Sequence, residues 1–377
     1  MSLLAVLDGV LNGREAPLAP IPAADPRAYE RLTGALRVGE DIDDDIALVM
    51  STSGTTGTPK GAMLTPAALI AGASATHDRL GGPGTWLLAL PTYHIAGMQI
   101  LVRSLLAGTV PMELDISAGF DVTDIPAAVA QMGGGRRYAS LVAAQLSKAL
   151  ADPDAAAALS DLDAVLLGGG PAPRPVLDAA AAAGIAVVRS YGSSETAGGC
   201  VYDGVPLDGV FVRVDGASAD GVGRIAIGGA TLAKGYRNPP DPDPFADPGW
   251  YCTDDIGTVD DSGRIRVMGR SDDAISTGGL TVMPGVVEAV LAGHPAVADV
   301  AVFGLSDDRL GEQVVAALVL TPGSVAPAID ELKAVVAQSL DATAAPRALI
   351  VVDELPRMGI GKVDRRALRQ IYGPVSP

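Results

Sequence analysis

Short apolar runs ending in glycine or polar residues alternate with alanine-rich stretches of helical period, and this alternation limits the fold more than any other feature. "IALVMST" (46–52) precedes "TPAALIAGASATHDRL" (65–80), and "TWLLALP" (85–91) precedes "MQILVRSLLAG" (98–108). "LDAVLLGGG" (162–170), "PRPVLDAAAAAG" (173–184) and "IAVVRSYG" (185–192) repeat the theme. Alternating strand and helix signals predict a mostly parallel sheet covered by helices, an α/β class. Ligands of such open sheets gather at the carboxyl ends of the strands, where these glycine and polar turns fall.

From about Phe211 to Val267 the texture changes to short strands with turns: "VFVRV", "GRIAIGG", "GWYCTDDIG" and "SGRIRVMG". This predicts a small antiparallel barrel or sheet attached to the larger domain. After "GRSDD" helix and strand signals mix again through Pro377. A boundary near Arg270 to Asp273 divides the chain into a large N-terminal domain, 1–270, and a small α+β C-terminal domain, 271–377. The tract "NPPDPDPFADP" (238–248) reads as a rigid surface loop.

Of the 377 residues, 48% are hydrophobic and 19% charged, enough apolar material for a sizeable core. A net charge of −17 argues against nucleic-acid binding, which needs clustered Lys and Arg, so any anionic ligand must be held by a local site. Cys200 and Cys252 have no metal-binding spacing, and no basic-then-apolar leader opens the chain. A cytoplasmic protein is expected. The uncharged stretch Leu80 to Val102 is long enough to raise the question of a membrane span, but Pro91, Thr92, Tyr93 and His94 lie in its middle. It is read as strand, polar turn and apolar helix.

"TSGTTGTPKG" (52–61) combines flexible glycines, hydroxyl donors and one lysine. Gly54 and Gly57 let the backbone approach a ligand closely, successive N–H groups can form an anion nest, and Lys60 supplies a point charge. Polyphosphate fits such a loop, which follows an apolar strand and precedes a helical pattern, the setting of phosphate at a strand-to-helix turn. It is not a Walker A loop, because Pro59 precedes the lysine and Gly61 follows it.

"STSGTTGTPKG" resembles the phosphate-binding signature of the adenylate-forming superfamily of acyl-CoA synthetases, luciferases and adenylation domains. "LPTYH" (90–94), "GGGPAP" (168–173), "YGSSET" (191–196), "WYCTDD" (250–255), "GRSDD" (269–273) and "GIGKVDR" (359–365) match further motifs in the family's order. The resemblance implies a two-step reaction in which a carboxylate attacks the α-phosphorus of ATP, and a thiol then takes the acyl group and releases AMP. It implies that Ser53, Gly54, Thr55, Thr56, Gly57 and Lys60 hold the β- and γ-phosphates. Ser194 would donate to the α-phosphate, Glu195 would bind Mg²⁺, and Lys362 would meet charge developing during adenylation. Gly169, Gly170, Pro171, Tyr191 and Gly192 would surround adenine, with Asp255 and Arg270 at the ribose. His94 would line the acyl pocket or gate thiol access, the alternative being an ordinary core histidine; Asp272 would be the hinge of a mobile C-terminal domain, and Gly278 and Gly279 would lie near CoA. His77 and His294 receive no role.

Asp254 stands where the family usually has glycine, adding negative charge beside the nucleotide. The short segment before the phosphate loop, with "ISTGGLTVMPGVVEAVL" (275–291) and "SETAGGCVYDGVPLDGV" (194–210), resembles the actinobacterial branch of the o-succinylbenzoate-CoA ligases of menaquinone biosynthesis. The expected partners are thus ATP, CoA and a small carboxylic acid, with Mg²⁺; a homo-oligomer is left open. The alternatives are another acyl- or aryl-CoA ligase, an adenylation enzyme loading a carrier protein, or a non-catalytic nucleotide binder. Together Lys60, Glu195 and Lys362 argue against the last.

Overall fold

The computed structural model describes residues 2–22, 25–52, 59–358 and 362–373, with backbone alone at Met358 and Lys362. Strands Met112–Glu113, Thr85–Leu88, Arg137–Val142, Ala164–Gly168 and Val187–Ser193 lie side by side in that order, all parallel. Gly198–Tyr202 and Val205–Pro206 extend the sheet antiparallel. Successive side chains of a strand point to opposite faces. Trp86, Leu88, Tyr138 and Leu166 accordingly enter one apolar cluster, and Leu87, Ala139, Leu141, Val165 and Leu167 enter another on the opposite face. Helices cover both faces, as the alternating sequence pattern requires.

The uncharged stretch resolves into the strand Thr85–Leu88, a turn and the helix Ile95–Ala107, with His94 as its N-cap residue. Gly97 in the first turn of this helix has no room for a side chain: a Cβ would lie 2.3 Å from the carbonyl oxygen of Pro91. No helix among the described residues is long and apolar enough to cross a membrane.

One local expectation is corrected. The strand Leu48–Thr52 pairs antiparallel with Lys60–Leu64, Thr52 opposite Lys60, so the phosphate-loop segment joins two strands of a hairpin. The first helix after it starts only at Pro66. Lys60 and Gly61 read as a turn before a helix because the alanines that follow dominate the local pattern. In the fold, Gly61 is wedged against Val49 and Leu36 with no space for a Cβ, and the strand Gly235–Tyr236 pairs along its other side. No helix dipole therefore follows the loop directly.

Strands Val210–Asp215, Gly223–Gly229, Trp250–Val259 and Ile265–Arg270 form the expected antiparallel sheet. Beyond Arg270, Val297–Asp307 and Gly311–Leu320 form the centre of a second mixed sheet. Alternation again sorts its residues: Val300, Val302, Val314 and Ala316 pack with the helices Pro284–Leu291 and Ile329–Ser339, and Ala301, Phe303, Val315 and Ala317 with the helix Arg365–Tyr372. Among the described residues, no apolar cluster joins residues before Arg270 to residues after it.

Candidate active site

Because the strands ending at Leu88, Gly168 and Ser193 are parallel, their carboxyl ends share one edge of the sheet. "LPTYH", "GGGPAP" and "YGSSET" all emerge there. Gly169, with φ of 80°, makes the left-handed turn that leaves the Gly168 strand, and Gly170 and Pro171 continue it. A Cβ on Gly192 would lie 2.1 Å from the carbonyl oxygen of Gly198, so glycine is required where the strand bulges after Tyr191.

The phenol of Tyr191 donates to Oδ2 of Asp255 at 2.7 Å. Burial first, and then the Asp255 charge, hold its pKa well above the usual tyrosine value, so it stays a donor. The residues that the sequence assigned to adenine and to ribose therefore touch. The Asp255 N–H donates to Oγ1 of the buried Thr253 at 3.0 Å, and that hydroxyl donates to the Ile225 carbonyl oxygen at 2.7 Å.

Asp254 is countered by two guanidiniums, Arg224 at 2.6 Å and Arg270 at 3.1 Å. The extra negative charge foreseen beside the nucleotide is thus paired. Arg270 also grips Asp272 through Nε at 2.8 Å, so its side chain joins the strand Trp250–Val259, which carries Asp254, to the turn Ser271–Asp273. One residue on, Asp273 pairs with Arg365 at 3.1 Å, and Arg365 pairs with Glu288 at 2.6 Å in a nearly buried cluster. Adjacent aspartates thus hold opposite sides of the chain.

Glu195 is 5% exposed, in a turn ended by Ala197 in the left-handed region at φ 51°. The Tyr236 phenol donates to Glu195 Oε1 at 2.6 Å, and the Lys60 ammonium lies 5.2 Å from the centroid of the same ring. Burial first and the Glu195 charge second push both Tyr236 and Tyr251 far above the ordinary tyrosine value. Lys60 and Glu195, which the sequence assigned to phosphate and to Mg²⁺, are therefore connected through one tyrosine. Among the described residues no group of three or more His, Cys, Asp or Glu could cage a metal. A single buried carboxylate fits Mg²⁺, which is commonly bound through one or two carboxylates and substrate phosphates rather than by an all-protein cage.

His94 packs against Tyr93 with ring centroids 4.8 Å apart and the rings tilted by 51°, and burial lowers its pKa, favouring neutral imidazole. On the helix it begins, Gln99 Nε2 donates to the carbonyl oxygen of Ala197 at 2.7 Å, tying that helix to the Glu195 turn. One turn further lies Arg103, 3% exposed and stacked 4.8 Å from the centroid of Trp86. Arg103 Nη2 lies 3.4 Å from the Tyr202 hydroxyl, its Nε has no partner, and none of the ion pairs among the described residues includes it.

Gly278 and Gly279, with φ of 59° and 83°, form the tight turn between strands Ile275–Thr277 and Leu280–Val282. Lys362 begins the strand Lys362–Val363, which pairs with Arg357–Met358. Ser53, Gly54, Thr55, Thr56 and Gly57 lie outside the described residues. Ser194 opens the turn that carries Glu195.

Sequence reasoning missed Tyr236, Arg224 and Arg103. Tyr236 follows a glycine in an unremarked short strand, and Arg224 sits in a strand pattern, so neither carried a local signal. Arg103 did: it is the sole charge in a largely apolar helix of thirteen residues.

The family described as "AMP-binding enzyme" matches residues 20–237, and "AMP-binding enzyme C-terminal domain" matches residues 286–362. A probable 2-succinylbenzoate–CoA ligase of Mycobacterium tuberculosis (strain ATCC 25618 / H37Rv) is 66% identical over 368 residues, covering 97% of this chain and 94% of its own length. A 2-succinylbenzoate–CoA ligase of Geobacillus sp. (strain WCH70) is 35% identical over 384 residues, covering 92% and 77%. The structure of o-succinylbenzoate CoA synthetase (MenE) from Bacillus subtilis with the acyl-adenylate OSB-AMP superposes with a TM-score of 0.76 at 28% identity, over 97% of this chain and 80% of that one. The same enzyme with ATP and magnesium gives 0.75 at 28% identity, over 98% and 82%. With its strand-end motifs in place and most of its length matched, the chain belongs to the AMP-binding enzyme family and has the fold of the adenylate-forming superfamily.

Proposed function

We propose that the protein is an AMP-forming acid–thiol ligase that activates o-succinylbenzoate with ATP and transfers the acyl group to CoA. The relatives at 66% and 35% identity carry that activity in their names. The structural observation that carries the choice of acid is Arg103. A buried guanidinium stays charged, and a desolvated charge without a counter-ion is unfavourable by several kcal/mol. The second carboxylate of o-succinylbenzoate supplies the missing anion, one helical turn, about 6 Å, beyond the Gln99 contact with the Glu195 turn.

In this reading Lys60 and the phosphate loop orient the β- and γ-phosphates, Ser194 donates to the α-phosphate, and Asp255 accepts from the ribose with Tyr191 fixing its carboxylate. Arg270 steadies that region through Asp254. Glu195 would hold Mg²⁺, whose chemistry is to neutralise phosphate charge. Lys362 contributes a donor where charge grows as the substrate carboxylate attacks the α-phosphorus. His94, neutral and packed against Tyr93, borders the acyl end. Residues 1–270 carry the nucleotide and acid sites. Residues 271–377 form a domain that turns about Asp272, presenting Lys362 for the first half-reaction and the Gly278–Gly279 turn to CoA for the second.

The test is ATP-dependent AMP release over a panel of acids, with CoA or a carrier protein as acceptor. We expect o-succinylbenzoate with CoA to exceed benzoate and hexanoate in kcat/KM by at least about a hundredfold, since a site built for a charged group rejects analogues lacking it. Equal efficiency with hexanoate would overturn the acid assignment, and transfer to a carrier protein in preference to CoA would replace the acceptor.

A further inference from the structure

Asn238 stands where a chain leaves a sheet. The strand Gly235–Tyr236 pairs antiparallel with Lys60–Leu64, Tyr236 opposite Ala62, and the Arg237 N–H donates to the Gly61 carbonyl oxygen at 2.7 Å. Continued in that register, residue 238 falls opposite Lys60. The ladder cannot continue far, because Pro239 and Pro240 have no N–H to donate and Pro59 has none on the facing strand. The Asn238 carboxamide takes over the pairing: Oδ1 accepts from Gly61 N–H at 2.9 Å, and Nδ2 donates to the Pro59 carbonyl oxygen at 2.7 Å. Those are the two peptide groups that flank Lys60. One side chain therefore holds the backbone of this lysine before and behind, at the last position where the hairpin is still a sheet.

Two residues earlier, the Tyr236 ring lies beside the Lys60 ammonium while its hydroxyl holds Glu195. Phe245, from the proline-rich loop that follows Asn238, packs edge-on against Tyr236 at 5.3 Å and stacks on Tyr251 at 4.9 Å. That loop is thus folded back onto the bracket around Lys60.

We propose that Asn238 is a positioning residue for ATP: by fixing the peptide groups on both sides of Lys60 it sets where the ammonium meets the β- and γ-phosphates. The proposal rests on the reading of Lys60 as the phosphate-holding lysine. An acceptor and a donor lose their partner when the carboxamide is removed, and the lysine backbone gains freedom that binding must then remove.

The distinguishing readout is the ratio of ATP to AMP affinity, because AMP lacks the phosphates that Lys60 meets. Affinities are measured calorimetrically in magnesium-free buffer for the wild type, Asn238→Ala, Asn238→Asp, Lys60→Ala and Asn238→Ala/Lys60→Ala, with Tm recorded for each. We expect Asn238→Ala to weaken ATP about tenfold and AMP less than about twofold, the loss corresponding to one hydrogen-bonded group. In the Lys60→Ala background the same change should cost nothing further, the mark of a residue acting through another. Asn238→Asp keeps the acceptor for Gly61 but loses the donor to Pro59, and should show the same ATP-selective loss even if the alanine variant folds poorly. An unchanged ratio in both Asn238 variants beside a lowered ratio in Lys60→Ala overturns the proposal and leaves the lysine reading intact. An unchanged ratio in Lys60→Ala overturns both. Equal loss of ATP and AMP with a lower Tm assigns Asn238 a role in folding alone and likewise overturns the proposal.

Discussion

Tyr191 donates a 2.7 Å hydrogen bond to Asp255 across 64 positions of sequence, joining the end of the parallel sheet to the antiparallel one. In Tyr191→Phe the ring remains but the carboxylate loses this donor. A hydrogen bond to a charged group contributes about 1.5–3 kcal/mol, so ATP and AMP should both bind about tenfold or more weakly. Discrimination between ATP and 2′-deoxy-ATP in kcat/KM should narrow. Intact discrimination would mean that Asp255 is not placed by Tyr191.

Arg103→Met should reduce kcat/KM for o-succinylbenzoate by about a hundredfold or more and leave the slow reaction of benzoate nearly unchanged. The free enzyme should not lose stability, because an apolar side chain of similar length replaces a buried cation without a counter-ion. A uniform loss over all acids, measured with the same AMP-release assay, would show that Arg103 supports the fold and not the substrate.

Lys362→Ala should lower acyl-AMP formation from acid and ATP by about 10²- to 10³-fold, the usual effect of removing one preorganised donor. Chemically prepared acyl-AMP plus CoA should still give thioester at near wild-type rate. A variant equally poor in both half-reactions would assign the lysine a structural role; one unimpaired in adenylation would remove it from the mechanism.

His77, 7% exposed, has its pKa lowered first by burial and then by the charge of Arg103. The fold favours its neutral form, so the associated stability is fully present above the unfolded histidine value of about 6.5 and is lost as pH falls through the depressed folded value. His94 is shifted the same way by burial. Calorimetric Tm should therefore drop from pH 7.5 to pH 5, and His77→Leu should flatten that drop. An identical pH dependence in the variant would show that His77 titrates alike in the folded and unfolded states.

The parallel sheet and the order of its loops were legible because continuous apolar strands and alanine-rich helices differ in period, and glycine marks where each strand ends. Glu195, Tyr191 and Asp255 were legible as motif members, but their contacts were not. Tyr236 reaches Glu195 from 41 positions away, and Arg224 reaches Asp254 from 30 positions away, distances over which no local pattern carries information. The hairpin at Lys60 was misread for a similar reason. Its strand is short, and what keeps it extended is the pairing with Gly235–Tyr236, supplied by tertiary contact rather than local propensity.

Asp272 is gripped by Arg270 on the strand before it, and Asp273 by Arg365 on the terminal helix. The first pair is 25% and 36% exposed, the second 10% and 21%. Dissolved salt screens the outer pair more than the inner one. A rise in ionic strength should therefore weaken the Arg270–Asp272 contact more than the Arg365–Asp273 contact. For a chain that turns about Asp272 as proposed above, the ratio of the two half-reaction rates then becomes a function of the salt in the buffer, even where neither active-site chemistry nor substrate affinity depends on it.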